Sequence, residues 1–233
     1  MALPFFYEEN ISPKNSSFTL SEETSRHCVQ VLRMKTGVEL ELTDGNGTII
    51  TAAIIKEDKR ACQVKVVGGR QIEKQARNIC IGISLLKNAN RFEWFLEKAT
   101  EIGASEITPL ICARTERQHF RYDRMQNILV AAMLQSQQAW LPLLHEPLTL
   151  AELVDASMHE QKLVAHCIDT QKQGIAQLAI ADDVMMLIGP EGDFTEDEIN
   201  NCVQKGFIPV TLGNTRLRTE TAGIVAATLL VNC

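Results

Sequence analysis

Apolar and polar residues alternate with a period of two through VELELT (38–43), and a DGNG turn at 44–47 leads into the runs TIITAAII and CQVKVV. The pattern predicts a small antiparallel β-domain over the first 72 residues. Just before it, Ser21 is a candidate cap for a short helix carrying EETSRHCVQVLR. Helical spacing predicts that Val29 and Leu32 face inward and that Arg26 and Arg33 do not. From about residue 79 the rhythm changes. The apolar runs ICIGISLL, EITPLICA, LVAHCI, VMMLIG and FIPVTLG are each followed by a helical or polar stretch, which predicts a parallel sheet covered by helices. In the clearest of these helices Phe92, Phe95, Leu96, Ala99 and Ile102 fall on one stripe, and Gly103 is placed to end it. The boundary between the halves is expected near GGRQIEKQAR (68–77).

Two of the predicted strand ends run into turns suited to a ligand. In LIGPEGDFTEDE (187–198), Gly189 and Gly192 permit close backbone approach and Pro190 stiffens the turn. Thr195 and Glu198 have the spacing of a capping box. A tight strand-to-helix connection explains this stretch equally well when it is taken alone. A second stretch, LGNTRLRTETAG (212–223), also leaves an apolar strand at a glycine, passes two arginines and enters the last helix. Two such loops at the carboxyl ends of strands in one parallel sheet predict a binding site. Neither contains GxxxxGK[ST] or GxGxxG, which argues against an ATPase or an ordinary dinucleotide enzyme. No nucleophile–base pair is apparent, and of the five histidines only His166, at a strand end, is placed to line the pocket.

Composition narrows the class further. The chain has 233 residues, 45% of them hydrophobic, and a net charge of −6. It is large enough for one large or two small domains, and it lacks the basic excess usual for nucleic-acid binders. Nine basic residues balance nine acidic ones up to residue 72, so the excess acid lies in the second half and any phosphate contact is expected to be local. The seven cysteines show no CxxC and no histidine companions, against both a zinc site and a disulfide framework. No apolar stretch is long enough for a membrane span, and MALPFFYEEN turns acidic before a signal core forms, so a cytosolic protein is expected.

GPEGDFTEDE followed by LGNTRLRTETA, with KNANRFEWFLEKATEIGASEITPL and QSQQAWLP upstream, resembles the bacterial small-subunit (16S) ribosomal RNA uridine N3 methyltransferases of the SPOUT class, over essentially the whole chain. The resemblance implies an N-terminal PUA-like β-barrel that binds RNA (1–72) and a C-terminal α/β methyltransferase domain with a trefoil knot (73–233). It also implies S-adenosylmethionine as methyl donor, small-subunit ribosomal RNA as partner, a homodimer and no metal. The donor site implied comprises Leu187, Ile188, Gly189, Pro190, Glu191 and Gly192, together with Leu212, Gly213, Leu217, Arg218, Thr219 and Ala222. Arg218 is the candidate for stabilising a uracil anion, with ion pairing to phosphate or Glu220 as its plain alternative. Glu191 and Glu220 stand as either base or structural acceptors. Lys87, Arg91, Lys98, Glu101 and Gly103 match the family signature on the first helix of the second domain, where a solvated face is the alternative. Arg26, Arg33, Lys87, Arg91, Arg114 and Arg117 are the candidate RNA contacts, with Arg121 and Arg124 in the same basic cluster. Three departures from the family stand out: Asp193 stands where a glycine is usual, Leu134 and Gln138 replace an acidic residue and an arginine, and Phe5 stands near an expected basic residue. A methyltransferase for another RNA such as tRNA, or a non-catalytic RNA-binding protein retaining the fold, are the rival functions.

Overall fold

The computed structural model describes residues 3–232 except 15, 117 and 170. The chain divides into two compact units: residues up to Lys74 with Met133–Leu141, and Gln75–Ala132 with Pro142 onward.

In the first unit, β1 (Phe5–Tyr7), β2 (Ser17–Thr19), β3 (Glu39–Thr43), β4 (Thr48–Lys56) and β5 (Gln63–Gln71) form one sheet in the order β1-β3-β4-β5-β2. Only the β1–β3 pair is parallel. Alternate residues such as Leu40, Leu42, Ile50, Ala52, Ile54 and Val64 meet in its core, as period-two patterning requires.

Ser21 caps α1 (Glu22–Arg26), accepting from the Thr24 N–H, but the helix differs beyond that point. It widens into a π-helical turn over His27–Val31, and the extra residue per turn rotates everything after it. Leu32 is therefore 46% exposed rather than inward, Val29 is only half-buried, and Cys28 and Met34 fill the core instead.

Residues 139–141 are bolted to the β3–β4 turn. Gly47 N–H donates to Ala139 O and Leu141 N–H to Gly45 O, both at 2.8 Å, and Trp140 Nε1–H donates to Ile72 O at 3.1 Å. A Cβ on Gly47 would stand 2.5 Å from the Trp140 ring. That glycine is the hollow the indole occupies.

In the second unit, β6 (Asn78–Ser84), α2 (Ala89–Ile102), β7 (Glu106–Ile111), α3 (Tyr122–Gln135), β8 (Leu143–Leu144), β9 (Leu148–Thr149), α4 (Leu150–Ala156) and β10 (Gln161–Ala165) come first. Then follow β11 (Gln173–Gly174), β12 (Asp183–Ile188), α5 (Glu196–Gln204), β13 (Ile208–Thr211) and α6 (Thr219–Asn232). The strand order is β11-β13-β10-β12-β6-β7-β8, with β9 also pairing β7, and every pairing is parallel. This is the predicted alternation, with β8, β9 and β11 added as short strands too brief to show a period.

The two faces of the sheet are covered differently. Cys80 and Leu187 pack with Leu150, Leu153 and Val154 of α4 and Ile199 and Cys202 of α5. On the other face, α2 and α6 pack together over β6. Phe92, Phe95, Leu96 and Ala99 are buried as the stripe predicts, and Gly103 ends α2 at φ 107°, a conformation glycine adopts freely. Met125, Leu129 and Ala132 of α3 are buried, and Ile128, Val130 and Leu134 are half-buried. Among the described residues no helix is long and apolar enough to cross a membrane, and no cluster of metal-ligating side chains occurs. Burial pushes the thiols of Cys28, Cys80, Cys112 and Cys202 up to about 12, so they are inert apolar filler at neutral pH.

Candidate functional site

Strands β13, β10 and β12 are neighbours, and their carboxyl ends open into a cavity of about 570 Å³. Each contributes a segment: Ala165–Cys167 with Lys172 from β10, Ile188–Glu191 with Asp193 from β12, and Val210–Thr219 with Ala222 from β13 and the start of α6. The two sequence stretches singled out for their turns thus meet at one site. Gly213 lies at φ 146°, a backbone conformation closed to residues with a Cβ, and it lets the chain turn between Thr211 and Asn214. Gly189 passes close under Phe194, where a Cβ would come within 3.1 Å of both its ring and its backbone nitrogen.

The loop after β12 is held from three sides. Glu191 Oε1 accepts from the Lys87 N–H at 3.2 Å. Arg114 Nη1–H donates to Gly192 O at 2.6 Å and to Phe194 O at 3.4 Å. Asp193 Oδ2 accepts from the Cys167 N–H at 2.8 Å, and its Oδ1 accepts from the Phe194 N–H at 2.9 Å. Asp193 sits at φ 64°, the left-handed region that explains a glycine preference there. A short side chain tied to two backbone amides offsets the strain of the position. Thr195 and Glu198 then form the capping box that starts α5, and the second Glu198 oxygen accepts from the Ala113 N–H at 2.8 Å.

Not every expected residue reaches the cavity. Gly192 does not line it; a Cβ there would meet the Arg114 side chain at 3.2 Å. Leu187 is buried in the core beneath β12. Glu220 is 7% exposed and faces Arg91, whose Nε lies 3.7 Å from its carboxylate, so the alternative pairing of Arg218 with Glu220 does not occur. Arg218 is exposed, lines the cavity and has no ion pair among the described residues.

The basic side chains expected to face RNA are partly engaged. Arg114 clamps the loop, Lys87 pairs with Glu116 at 2.7 Å, and Arg124 makes a two-pronged contact with Glu93. On the helix signature, Lys98 bridges Glu97 and Glu101, as on a solvated face. Arg121 is exposed, as are Arg26 and Arg33 of the first unit. Arg117 lies outside the described residues.

His166 lines the cavity as its place at a strand end predicts, as do Asn214–Arg216 of the second loop, whereas patterning alone did not reveal Cys167 and Lys172. The only signal for them was their position just beyond apolar runs. His166 is buried with both ring nitrogens unpartnered. Burial holds its pKa below the usual imidazole range, the Lys172 ammonium adds to that, and Asp193 opposes it.

Residues 73–231, more than half the chain, match the RNA methyltransferase domain family, and residues 20–67 match the RNA methyltransferase PUA domain. The chain belongs to the RNA methyltransferase family. The methyltransferase is 28% identical to ribosomal RNA small subunit methyltransferase E of Synechocystis sp., over 91% of this chain and 71% of that protein. Its fold matches a probable rRNA methyltransferase from Porphyromonas gingivalis with a TM-score of 0.88, at 35% identity over 97% of this chain and 95% of the other. It also matches ribosomal RNA small subunit methyltransferase E of Neisseria gonorrhoeae, solved bound to S-adenosyl methionine, with a TM-score of 0.87, at 27% identity over 97% and 95% of the two chains.

Proposed function

We propose that the methyltransferase transfers a methyl group from S-adenosylmethionine to N3 of a uridine in small-subunit ribosomal RNA. In this reading residues 1–72 are a PUA-like β-barrel that binds RNA, and 73–233 a SPOUT-class domain whose chain is knotted. The observation that carries the reading is the single cavity at the carboxyl ends of β13, β10 and β12, walled by both the 188–193 and the 210–222 segments. The likeness to the Neisseria enzyme, bound to this donor and named for the small-subunit RNA, supports both donor and substrate.

The residues fit the donor. A buried imidazole without partners, a glycine at φ 146° and two loops of close-set backbone answer a ligand with a nucleoside and a charged amino-acid end. When bound, the donor supplies an electrophilic methyl on a sulfonium. The chain's own part is to hold the uracil in line with that methyl and to favour its N3 anion. Arg218, exposed and without an ion pair among the described residues, supports the role of anion stabiliser. Its guanidinium stays protonated and does not act as the base. Of the two candidate carboxylates, Glu191 lines the cavity and Glu220 does not, which favours Glu191 or water as the acceptor of the N3 proton. Glu220 then serves to hold Arg91.

A homodimer is supported by α6, which is apolar all round and leaves Ile224, Val225, Leu229 and Val231 only half-buried. Incubating labelled donor with small subunits from cells lacking this protein, then mapping the product by mass, tests the function. Label on uridine N3 is expected; label elsewhere, or none, overturns the reading. Arg218→Ala is expected to lower turnover far more than donor affinity, with partial rescue by Arg218→Lys. A parental rate in Arg218→Ala removes it from the mechanism.

A further inference from the structure

Buried polar atoms in a folded chain have partners, and exceptions point to something the chain is built to meet. Among the described residues both Nδ1 and Nε2 of one ring, His166, lack one. The residue is 7% exposed and lies on the cavity wall at the tip of β10, the middle of the three strands that build the site. Its neighbours are already engaged. Asp193 holds two backbone amides, and Lys172 Nζ donates to His166 O at 3.0 Å and Ile168 O at 2.8 Å. Among the described residues nothing satisfies the ring.

Resting on the donor reading above, we infer that His166 is a binding residue for the nucleoside part of the methyl donor, its uncharged imidazole hydrogen-bonding a ribose hydroxyl. The charged end of such a ligand has a better partner in Arg216, which lines the same cavity without an ion pair among the described residues. A neutral imidazole offers one N–H and one lone pair. A hydroxyl both donates and accepts, so it satisfies either tautomer, whereas a carboxylate accepts only.

The test is calorimetry on the full chain with three probes: S-adenosylmethionine, S-adenosylhomocysteine and 5′-methylthioadenosine, which lacks the amino-acid end. His166→Phe keeps ring bulk and removes both nitrogens. It is expected to weaken all three by the same factor, about tenfold for one lost hydrogen bond at a buried site, while leaving the ligand-free melting temperature unchanged or raised. Against the parent, either the 2′-deoxy or the 3′-deoxy form of methylthioadenosine is expected to bind more weakly than methylthioadenosine itself, and that difference vanishes in His166→Phe. His166→Asn and His166→Gln carry an amide near the Nδ1 and Nε2 positions respectively, and partial recovery in one identifies the nitrogen used. Unchanged affinities in His166→Phe, with the parent binding normally, overturn the inference and leave the donor reading intact. A loss confined to the two probes with an amino-acid end also overturns it. A parent that binds none of the probes defeats the donor reading itself.

Discussion

Gly223, on α6, is packed so closely that a methyl group there has nowhere to go. An ideal Cβ would stand 2.6 Å from Phe95 Cε2 and 2.8 Å from Ile83 Cδ1, against about 3.5–4.0 Å for an ordinary carbon contact. Both neighbours are fully buried, one on α2 and one on β6, so neither swings into solvent. Overpacking of this kind costs about 1–3 kcal/mol, and two overlaps of roughly 1 Å argue for the upper half of that range. Alanine returns about 1 kcal/mol through helix propensity. Gly223→Ala is therefore expected to lose about 1–2 kcal/mol in urea denaturation without ligand. Because Thr219 and Ala222 at the start of the same helix line the cavity, a displaced α6 is also expected to weaken donor binding. A second substitution, Phe95→Leu, is expected to be less damaging in the Gly223→Ala chain than in the parent, since it makes room for the methyl. A Gly223→Ala chain as stable as the parent would refute the reasoning: the helix would then yield freely, and the close approach would fix nothing.

Other expectations follow from single contacts. Gly192→Ala is expected to change donor affinity by less than about twofold, because its Cβ meets only the flexible Arg114 chain; a sharp loss would return Gly192 to the ligand wall. Glu198→Ala removes the capping box of α5 and the acceptor for Ala113 N–H, for a loss of about 1–2 kcal/mol in thermal or urea unfolding; a stability equal to the parent's would contradict it. For pH, the folded pKa of His166 lies below its unfolded value, so the unfolded chain binds the proton first. Its contribution to stability is then intact above the ordinary imidazole pKa and is lost as pH falls towards the folded value. Donor affinity is expected to fall at lower pH still, where the folded imidazole itself takes up a proton, in the parent and less in His166→Phe. Lys172, Asp193, Glu191, Arg216 and Arg218 share the cavity, so the difference between the two profiles is the quantity to read.

The architecture was legible wherever an element was long enough to carry a period. The stripe on α2, the alternation through β3 and β4, and the five apolar runs of the parallel sheet all became the elements their spacing required. The capping box at Thr195 and the cap at Gly103 were equally plain, because each is a local interaction between fixed positions. Leu32 was misread because a π-helical turn changes the residues per turn, and no composition marks where that happens. At the site, sequence indicated which two loops converge but not which atoms face inward. Gly192 and Glu220 sit in the right segments yet turn to Arg114 and Arg91. His166 and Asp193 show their roles only once β10 is set between β13 and β12, an order that local sequence does not encode.

The seat of Trp140 against the glycine turn at 44–47 has a consequence for how the chain is made. A ribosome delivers residues 1–74 long before the strap that closes the first unit, since Ala139, Trp140 and Leu141 arrive only after β6, α2, β7 and α3. The sheet of that unit must therefore wait, with the hollow at Gly47 unfilled, until some 65 further residues have been synthesised, several seconds at ordinary rates of translation. During that interval the turn at 44–47 is without the partners it has in Ala139 and Leu141, and a fragment ending at Lys74 lacks them altogether. A rearranged gene that places 133–141 directly after residue 74 would deliver the strap together with the sheet it bonds.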